Sequence, residues 1–407
     1  MQRHMKIFVV PHMPSRPIIL IICDYYLPGF ESGGALRTLA NMVDRLGDRF
    51  DFRLITRDHD GIKVRKSYTN VRIGEWNRVG KAKVYYLSKD QIRAGKIKAM
   101  IKEVSPDAIY LNSFFSPLTI FVLALRKLKR ISQIPIILAP EGEFSPGALS
   151  LKSIKKQLYI KPAKILQLLQ YILWKASSES EQNDIETILG KGLDIRVAPN
   201  MPPRVIFENY DQAEKPVKTA GRSRMIFLSR FMRKKNFNWL LERFRSVKGD
   251  LSIDICGTLE ETDYWDECRR IAATLPANVK IKAIGPIPHE NVSKTIAEYD
   301  FFILPTLGEN FGHVFIEALA SGCPLIISDR TPWQNLEKHG TGWDLSLEDP
   351  GAWVEVLNKC IEMDNDDYRE MSQRARAFAV AWLDDSKLEE STIEVLNAAL
   401  AIKPGDI

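Results

Sequence analysis

The chain has 407 residues, which at roughly 150 per domain suggests two or three domains. It is 45% hydrophobic and 27% charged, ordinary globular usage that excludes disordered and collagen-like chains. With 57 Lys and Arg against 51 Asp and Glu, its net charge is only +6, below what a dedicated nucleic-acid binder concentrates on one face. Five cysteines, at 23, 256, 268, 323 and 360, lie far apart with no CxxC pair. They argue against a disulfide framework or a zinc site, and for reduced thiols in a cytoplasmic protein. No run reaches the roughly 18 apolar residues of a spanning helix. The start, MQRHMKIFVVPHMPSRP, is basic, interrupted by prolines at 11, 14 and 17, and followed by no small-residue cleavage site. It reads as an extended leader or poorly ordered tail more than as a signal peptide.

Along the chain, short apolar runs alternate with longer amphipathic segments. Ile18–Cys23, Phe52–Thr56, Ala108–Leu111 and Pro135–Leu138 read as strands without period-two alternation, as in a parallel sheet covered on both faces. Gly34–Leu46, Gln91–Val104 and Pro117–Leu128 between them have helical length and period. Ile195–Ala198 reads as a last strand, followed by Asn200-Met201-Pro202-Pro203 and a polar, linker-like stretch from Glu208 to Arg224. The rhythm then restarts with strands at Met225–Ser229, Leu251–Cys256, Val279–Ile284, Phe301–Leu304 and Pro324–Ile327, separated by helices near 236–246, 262–274, 289–298 and 312–320. Two βα series imply two doubly wound α/β domains. The tail from 350 to about 401 reads as three helices, the last of which, Lys387–Ala401, is expected to pack back toward the first domain.

The densest local signal is the segment 308–324, GENFGHVFIEALASGCP. It places Glu309 at a strand-to-helix turn, outside the carboxyl end of a parallel strand, where open sheets bind ligands. Amides near Phe311 to Val314 point out of a helix N-terminus and suit a phosphate. Glu317, one turn inside the helix, can accept two hydrogen bonds from a vicinal diol such as a ribose. Two glutamates with seven residues between them, in this phrase, resemble the EX7E signature of retaining glycosyltransferase family 4, group 1 glycosyltransferases with the GT-B fold. That resemblance covers nearly the whole chain, because three further segments follow the family's order.

In FLSRFMRKKN, residues 227–236, Arg230 follows a strand and Lys235 precedes a helix, matching the Arg and Lys that hold the nucleotide diphosphate in the family. Arg offers a fork for phosphate oxygens and Lys a point charge. Asn236 stands where the family often has Gly and is expected to cap the helix; Arg233 and Lys234 read as solvated charges. Gly33 and Gly34, in YLPGFESGGA, resemble the first-domain glycine loop that faces the donor, where paired glycines let backbone approach a ligand. In APEGEFSPGAL, residues 139–149, many relatives carry a His beside the reacting sugar; this chain has none. Glu141 with Gly142 is the acceptor-side candidate, and Glu141 and Glu143 read equally as sugar-hydroxyl contacts or as solvated loop acids. Asp58-His59-Asp60 and Asp364-Asn365-Asp366 have the DxD form that holds a metal in another glycosyltransferase fold, but read here as loop and capping residues. No GxxxxGK[ST] occurs. Between Phe144 and Ser178 there are six lysines and no acid, and the stretch AKILQLLQYILW reads as an apolar helix after Pro162. It suits either an anionic membrane surface or an ordinary core helix with basic neighbours.

The resemblance implies a GT-B enzyme with an acceptor-binding Rossmann-like domain at 1–204, a nucleotide-sugar-binding Rossmann-like domain at 205–380 and a C-terminal helical segment at 381–407. Arg230, Lys235 and Glu309 would be catalytic. Asn310, Phe311, Gly312, His313 and Glu317 would join them and Gly33 and Gly34 around a donor, a UDP-sugar by default. The expected reaction is metal-independent, cofactor-free, retaining transfer to a glycan or lipid-linked acceptor in polysaccharide or cell-envelope glycan synthesis, in the cytoplasm or peripherally on the inner membrane face. A GT-B nucleotide-sugar epimerase, a non-catalytic nucleotide-sugar-binding protein and a soluble sugar-phosphate synthase or phosphorylase are the alternatives.

Overall fold

A computed structural model describes residues 16–29, 33–60, 66–150, 153–203, 215–403 and 405. Residues 1–15 of the basic start, residues 30–32 of the glycine segment and residues 204–214, which include the first part of the linker-like stretch, lie outside them. The first sheet contains eight described strands: β1 (Ile18–Ile22), β2 (Asp51–Arg57), β3 (Trp76–Val79), β4 (Ala82–Leu87), β5 (Ala108–Asn112), β6 (Ile136–Ala139), β7 (Ile172–Ala176) and β8 (Asp194–Val197). Their order is β3-β4-β2-β1-β5-β6-β7-β8, parallel throughout except for the β3–β4 hairpin. The second sheet contains β9 (Arg222–Leu228), β10 (Asp250–Cys256), β11 (Val279–Gly285), β12 (Phe301–Leu304), β13 (Leu325–Ser328) and β14 (Gly342–Leu345). It runs β11-β10-β9-β12-β13-β14, with every pair parallel.

The unbroken apolar strands have a direct cause. In β1, Ile19 and Ile21 enter the core on one face of the sheet, while Leu20 and Ile22 enter the core on the other. A strand with two apolar faces shows no polar alternation, because successive side chains point opposite ways. Each such side chain, fully buried, contributes roughly 1.5–3 kcal/mol. A third core surrounds the second sheet.

Three helices close the chain: Pro350–Glu362, Asn365–Leu383 and Lys387–Ala401. The last buries Leu388, Val395, Leu396 and Ala399 in the core that contains Ile19 of the first sheet. Glu389 pairs with Arg45 at 2.9 Å on the same side. Asp364 caps the middle helix, accepting from the amides of Asp366 and Asp367 at 3.0 Å, so the second DxD triplet has a capping role. In the first triplet, the Asp58 carboxylate meets His59 Nδ1 and accepts from Ser67 Oγ, both at 2.8 Å.

The stretch read as one apolar helix after Pro162 folds differently. The helix Ser153–Ile165 ends three residues into it, residues 166–171 turn, and Ile172–Ala176 becomes the buried strand β7. Gln167 and Tyr171 take positive φ values of 53° and 55°, which end the helix and reverse the chain. Apolar composition alone does not separate a buried strand from a buried helix.

Candidate active site

In each sheet the strand order reverses beside the first strand, between β1 and β5 and between β9 and β12. Loops leaving the carboxyl ends there diverge and open a crevice. In the second sheet these loops carry Arg230 and Lys235 after β9, and Glu309 after β12. A backbone bond from Leu307 N to Lys234 O, 2.8 Å, ties the two loops together.

Lys235 donates to Glu309 Oε1, which also accepts from Thr306 Oγ1 at 3.0 Å. Both partners are largely covered, with side chains 10% and 15% exposed. Burial pushes the Glu309 carboxyl up, but the charges of Lys235 and Lys234 and the two hydrogen bonds bring it below the ordinary value. Arg230 is more open and donates to Glu260 at 3.0 Å. Lys234 differs from the sequence reading as a solvated charge: it is half-buried and lines the cleft. Burial lowers its pKa, Glu309 opposes this, and Lys235, Arg230 and Lys156 lower it further. Arg233 does face solvent, amid Glu261, Asp263 and Glu267. Asn236 sits before the helix Phe237–Phe244 with φ 58° and makes no side-chain cap bond, so its place there is conformational.

The helix His313–Ala320 begins at Gly312, whose φ is 80°. Glu317 is its fifth residue and is buried; Glu309 stands outside the helix, in the loop after β12. The first domain meets this end directly. Gly33 precedes the helix Gly34–Leu46 at φ 67°, ψ −136°, and a Cβ there would lie 3.4 Å from Arg230 Nε. Thr38 Oγ1 donates to Gly34 O at 3.0 Å, which leaves a lone pair for Nε2 of His313 at 3.1 Å. Arg37, on the same helix, lines the cleft with Glu317. Burial lowers its pKa, and the carboxylates of Glu317 and Glu290 work against that.

The acceptor-side candidates separate. Glu143 turns inward, accepting from Ser113 Oγ and Phe114 N at 2.6 Å and from Phe115 N at 3.2 Å. Burial pushes it up to about 7 against those bonds and the charge of Lys156. Glu141 faces the cleft from a left-handed backbone, φ 54°. Its Oε2 accepts from Asn200 Nδ2 at 2.8 Å and Asn310 Nδ2 at 3.1 Å, and Oε1 lies 3.7 Å from Lys175 Nζ. Oε1 makes no hydrogen bond among the described residues. Gly142 approaches Asn310 so closely that a Cβ would sit 2.9 Å from its Cβ, and Ser177 Oγ donates to Asn310 Oδ1 at 2.8 Å.

These groups line one cavity of about 490 Å³. It contains Gly33, Gly34, Arg230, Lys235, Glu309 through His313, Glu317 and Glu141; Gly142 borders a smaller neighbouring depression. Sequence reading missed Arg37, Lys156, Lys234 and Asn200. Arg37 could have been found, since it lies one turn beyond the paired glycines. Lys156 and Asn200 reach the cleft only through tertiary packing. A larger, open depression of about 720 Å³ beside Thr262–Ala272 lacks such convergent polar groups.

Two parallel-stranded α/β domains facing across this cleft define the GT-B fold. The structure superimposes on Anabaena Alr3699/HepE, solved with UDP and glucose, at a TM-score of 0.68, covering 94% of this chain and 100% of that one at 16% identity. It also superimposes on the sucrose-phosphate synthase of Thermosynechococcus elongatus, with the same score and identity over 95% and 100%. Residues 209–378 match the family Glycosyl transferases group 1, a stretch that includes all six strands of the second sheet. The chain is 28% identical to the 2-deoxystreptamine N-acetyl-D-glucosaminyltransferase of Niallia circulans over 134 residues, 32% of this chain and 33% of the relative. It is 29% identical to the D-inositol 3-phosphate glycosyltransferase of Nocardia farcinica over 138 residues, 33% and 30% respectively. The chain thus matches about a third of these relatives' lengths.

Proposed function

We propose that the protein is a retaining, metal-independent glycosyltransferase that moves a sugar from a nucleotide-sugar donor, a UDP-sugar, to a glycan or lipid-linked acceptor in polysaccharide or cell-envelope glycan synthesis. The observation that carries this reading is the convergence of Arg230, Lys235 and Glu309 at one switch point, with Gly33 of the other domain against Arg230. Arg230, Lys235 and Lys234 face the position of a diphosphate, whose charge grows as the glycosyl bond breaks. Cations fixed before reaction stabilise that charge without reorganising. Phosphate oxygens compete with Glu309 for Lys235, releasing the carboxylate to hold sugar hydroxyls. Glu317 grips the ribose and Arg37 closes over it. On the acceptor side, Glu141 has an unused lone pair, and Lys175 behind it balances its charge.

The EX7E spacing supports retention, and the cationic lining supports independence from a divalent ion. The second domain binds the donor and the first the acceptor. Incubation with UDP-glucose and related donors, alone and with glycan or lipid-linked acceptors, tests the proposal. Nucleotide release that depends on an acceptor, giving a product with the donor's anomeric configuration, is the expected result. Isomerised donor without an acceptor would instead make the protein an epimerase.

A further inference from the structure

Five of the eleven strongly exposed large apolar side chains among the described residues come from one region of the first domain: Leu128, Leu158, Ile165, Leu166 and Tyr171. Each is more than half exposed, from 56% at Leu166 to 79% at Ile165. Leu158 and Ile165 are seven residues apart on the helix Ser153–Ile165 and share a face, with Lys161 between them on the same stripe. The opposite face is already used, because Ile160 and Ala163 are buried against the domain. The apolar stripe is therefore not the helix's core-facing side.

The neighbouring helix end joins this surface. Arg126 donates to the carbonyls of Leu168, Gln170 and Tyr171, and Lys127 to Gln167 Oε1, which brings Leu128 beside the 166–171 turn. Five exposed cations surround the apolar residues: Lys127, Lys129, Arg130, Lys161 and Lys164. No ion pair involves any of the five among the described residues. Sequence adds that no acid occurs from Phe144 through Ser178.

We propose that this surface docks the protein on a bilayer containing anionic lipid, with Leu158, Ile165 and Leu166 inserted between headgroups and the lysines over them. Apolar side chains ringed by unpaired cations match an anionic interface in both respects. The same helix carries Lys156 into the cleft, about 14 Å along its axis from Ile165. An acceptor borne on the docked bilayer thus comes within reach of the site; this last step rests on the transferase reading, whereas the docking does not.

The test is flotation of the full chain with vesicles of phosphatidylcholine alone and of phosphatidylcholine with phosphatidylglycerol, with UDP affinity measured in parallel. The wild type should float with the anionic vesicles and be released as salt rises. Lys129→Ala and Lys161→Ala should each reduce partitioning about fivefold. The combined Leu158→Ser, Ile165→Ser, Leu166→Ser variant should lose flotation while keeping its UDP affinity. Equal partitioning into both vesicle types overturns the proposal, as does a wild-type dimer in sedimentation that the triple variant converts to monomer. Vesicle binding without UDP binding would sustain the docking surface and count against the transferase.

Discussion

At the scale of single residues, the site turns on the Lys235–Glu309 pair. A carboxylate this covered stays charged because Lys235 and Lys234 stand beside it. Lys235→Ala therefore removes the proposed phosphate contact and also lets the Glu309 pKa rise. The acid limb of the transfer rate should then move to higher pH, visible in rate profiles of the two proteins. Arg230→Ala and Lys235→Ala should each weaken UDP binding by about 1.5–3 kcal/mol, the range for hydrogen bonds to charged groups. Titration calorimetry measures this, and unchanged affinity in both variants would remove the cleft assignment. The two glutamates should separate in function. Glu317→Ala is expected to weaken UDP itself, whereas Glu309→Ala leaves UDP affinity nearly intact and slows turnover. Side-by-side affinities and rates decide it, and the reverse pattern would invert the placement of the donor.

At the scale of elements, the loop after β6 has two acids with opposite fates. Glu141 looks into the cleft, while Glu143 pins the loop to the turn after β5 through Ser113, Phe114 and Phe115. Desolvation dominates at Glu143 and raises it from 4.5 to about 7. A raised carboxyl pKa means that the folded state holds the proton more tightly than the unfolded chain. The resulting stability is fully present below about pH 4.5 and is lost as pH rises through about 7. One pKa unit corresponds to about 1.4 kcal/mol, so the window spans about 3 kcal/mol. Urea unfolding at pH 5 and pH 8 should show that loss in the wild type, and Glu143→Gln should lack this pH slope even if less stable throughout. An equal slope in both proteins would show that Glu143 stays ionised, held by its three donors.

At the scale of the whole molecule, the domains are joined by more than the cleft. Trp382 stacks near Phe311 and Trp333, with ring centroids 5.5 and 5.2 Å away, before the chain returns to the first sheet. Phe311 lies two residues from Glu309, so the return helices and the loop after β12 share one aromatic cluster. His313 with Thr38, and Asn310 with Glu141 and Ser177, add polar contacts across the cleft. Transfer is expected to survive excess chelator, because the proposed diphosphate position is faced by Arg and Lys. Loss of turnover restored by Mg²⁺ or Mn²⁺ would overturn this.

The βα rhythm, the two-sheet architecture and the EX7E phrase were legible in the chain, because strand apolarity, helix period and turn glycines are local properties. Arg230, Lys235, Glu309 and Glu317 were named because their segments, at strand ends and a helix start, resemble the family's motifs. Their pairing was not legible, since Lys235 and Glu309 are 74 residues apart and meet only where β9 and β12 lie side by side. Tertiary structure alone turned residues 163–174 into a helix end, a turn and a buried strand. It also turned Lys234 toward the cleft and Glu143 away from it. In each case the deciding quantity was burial against a distant segment, which no local window of sequence contains.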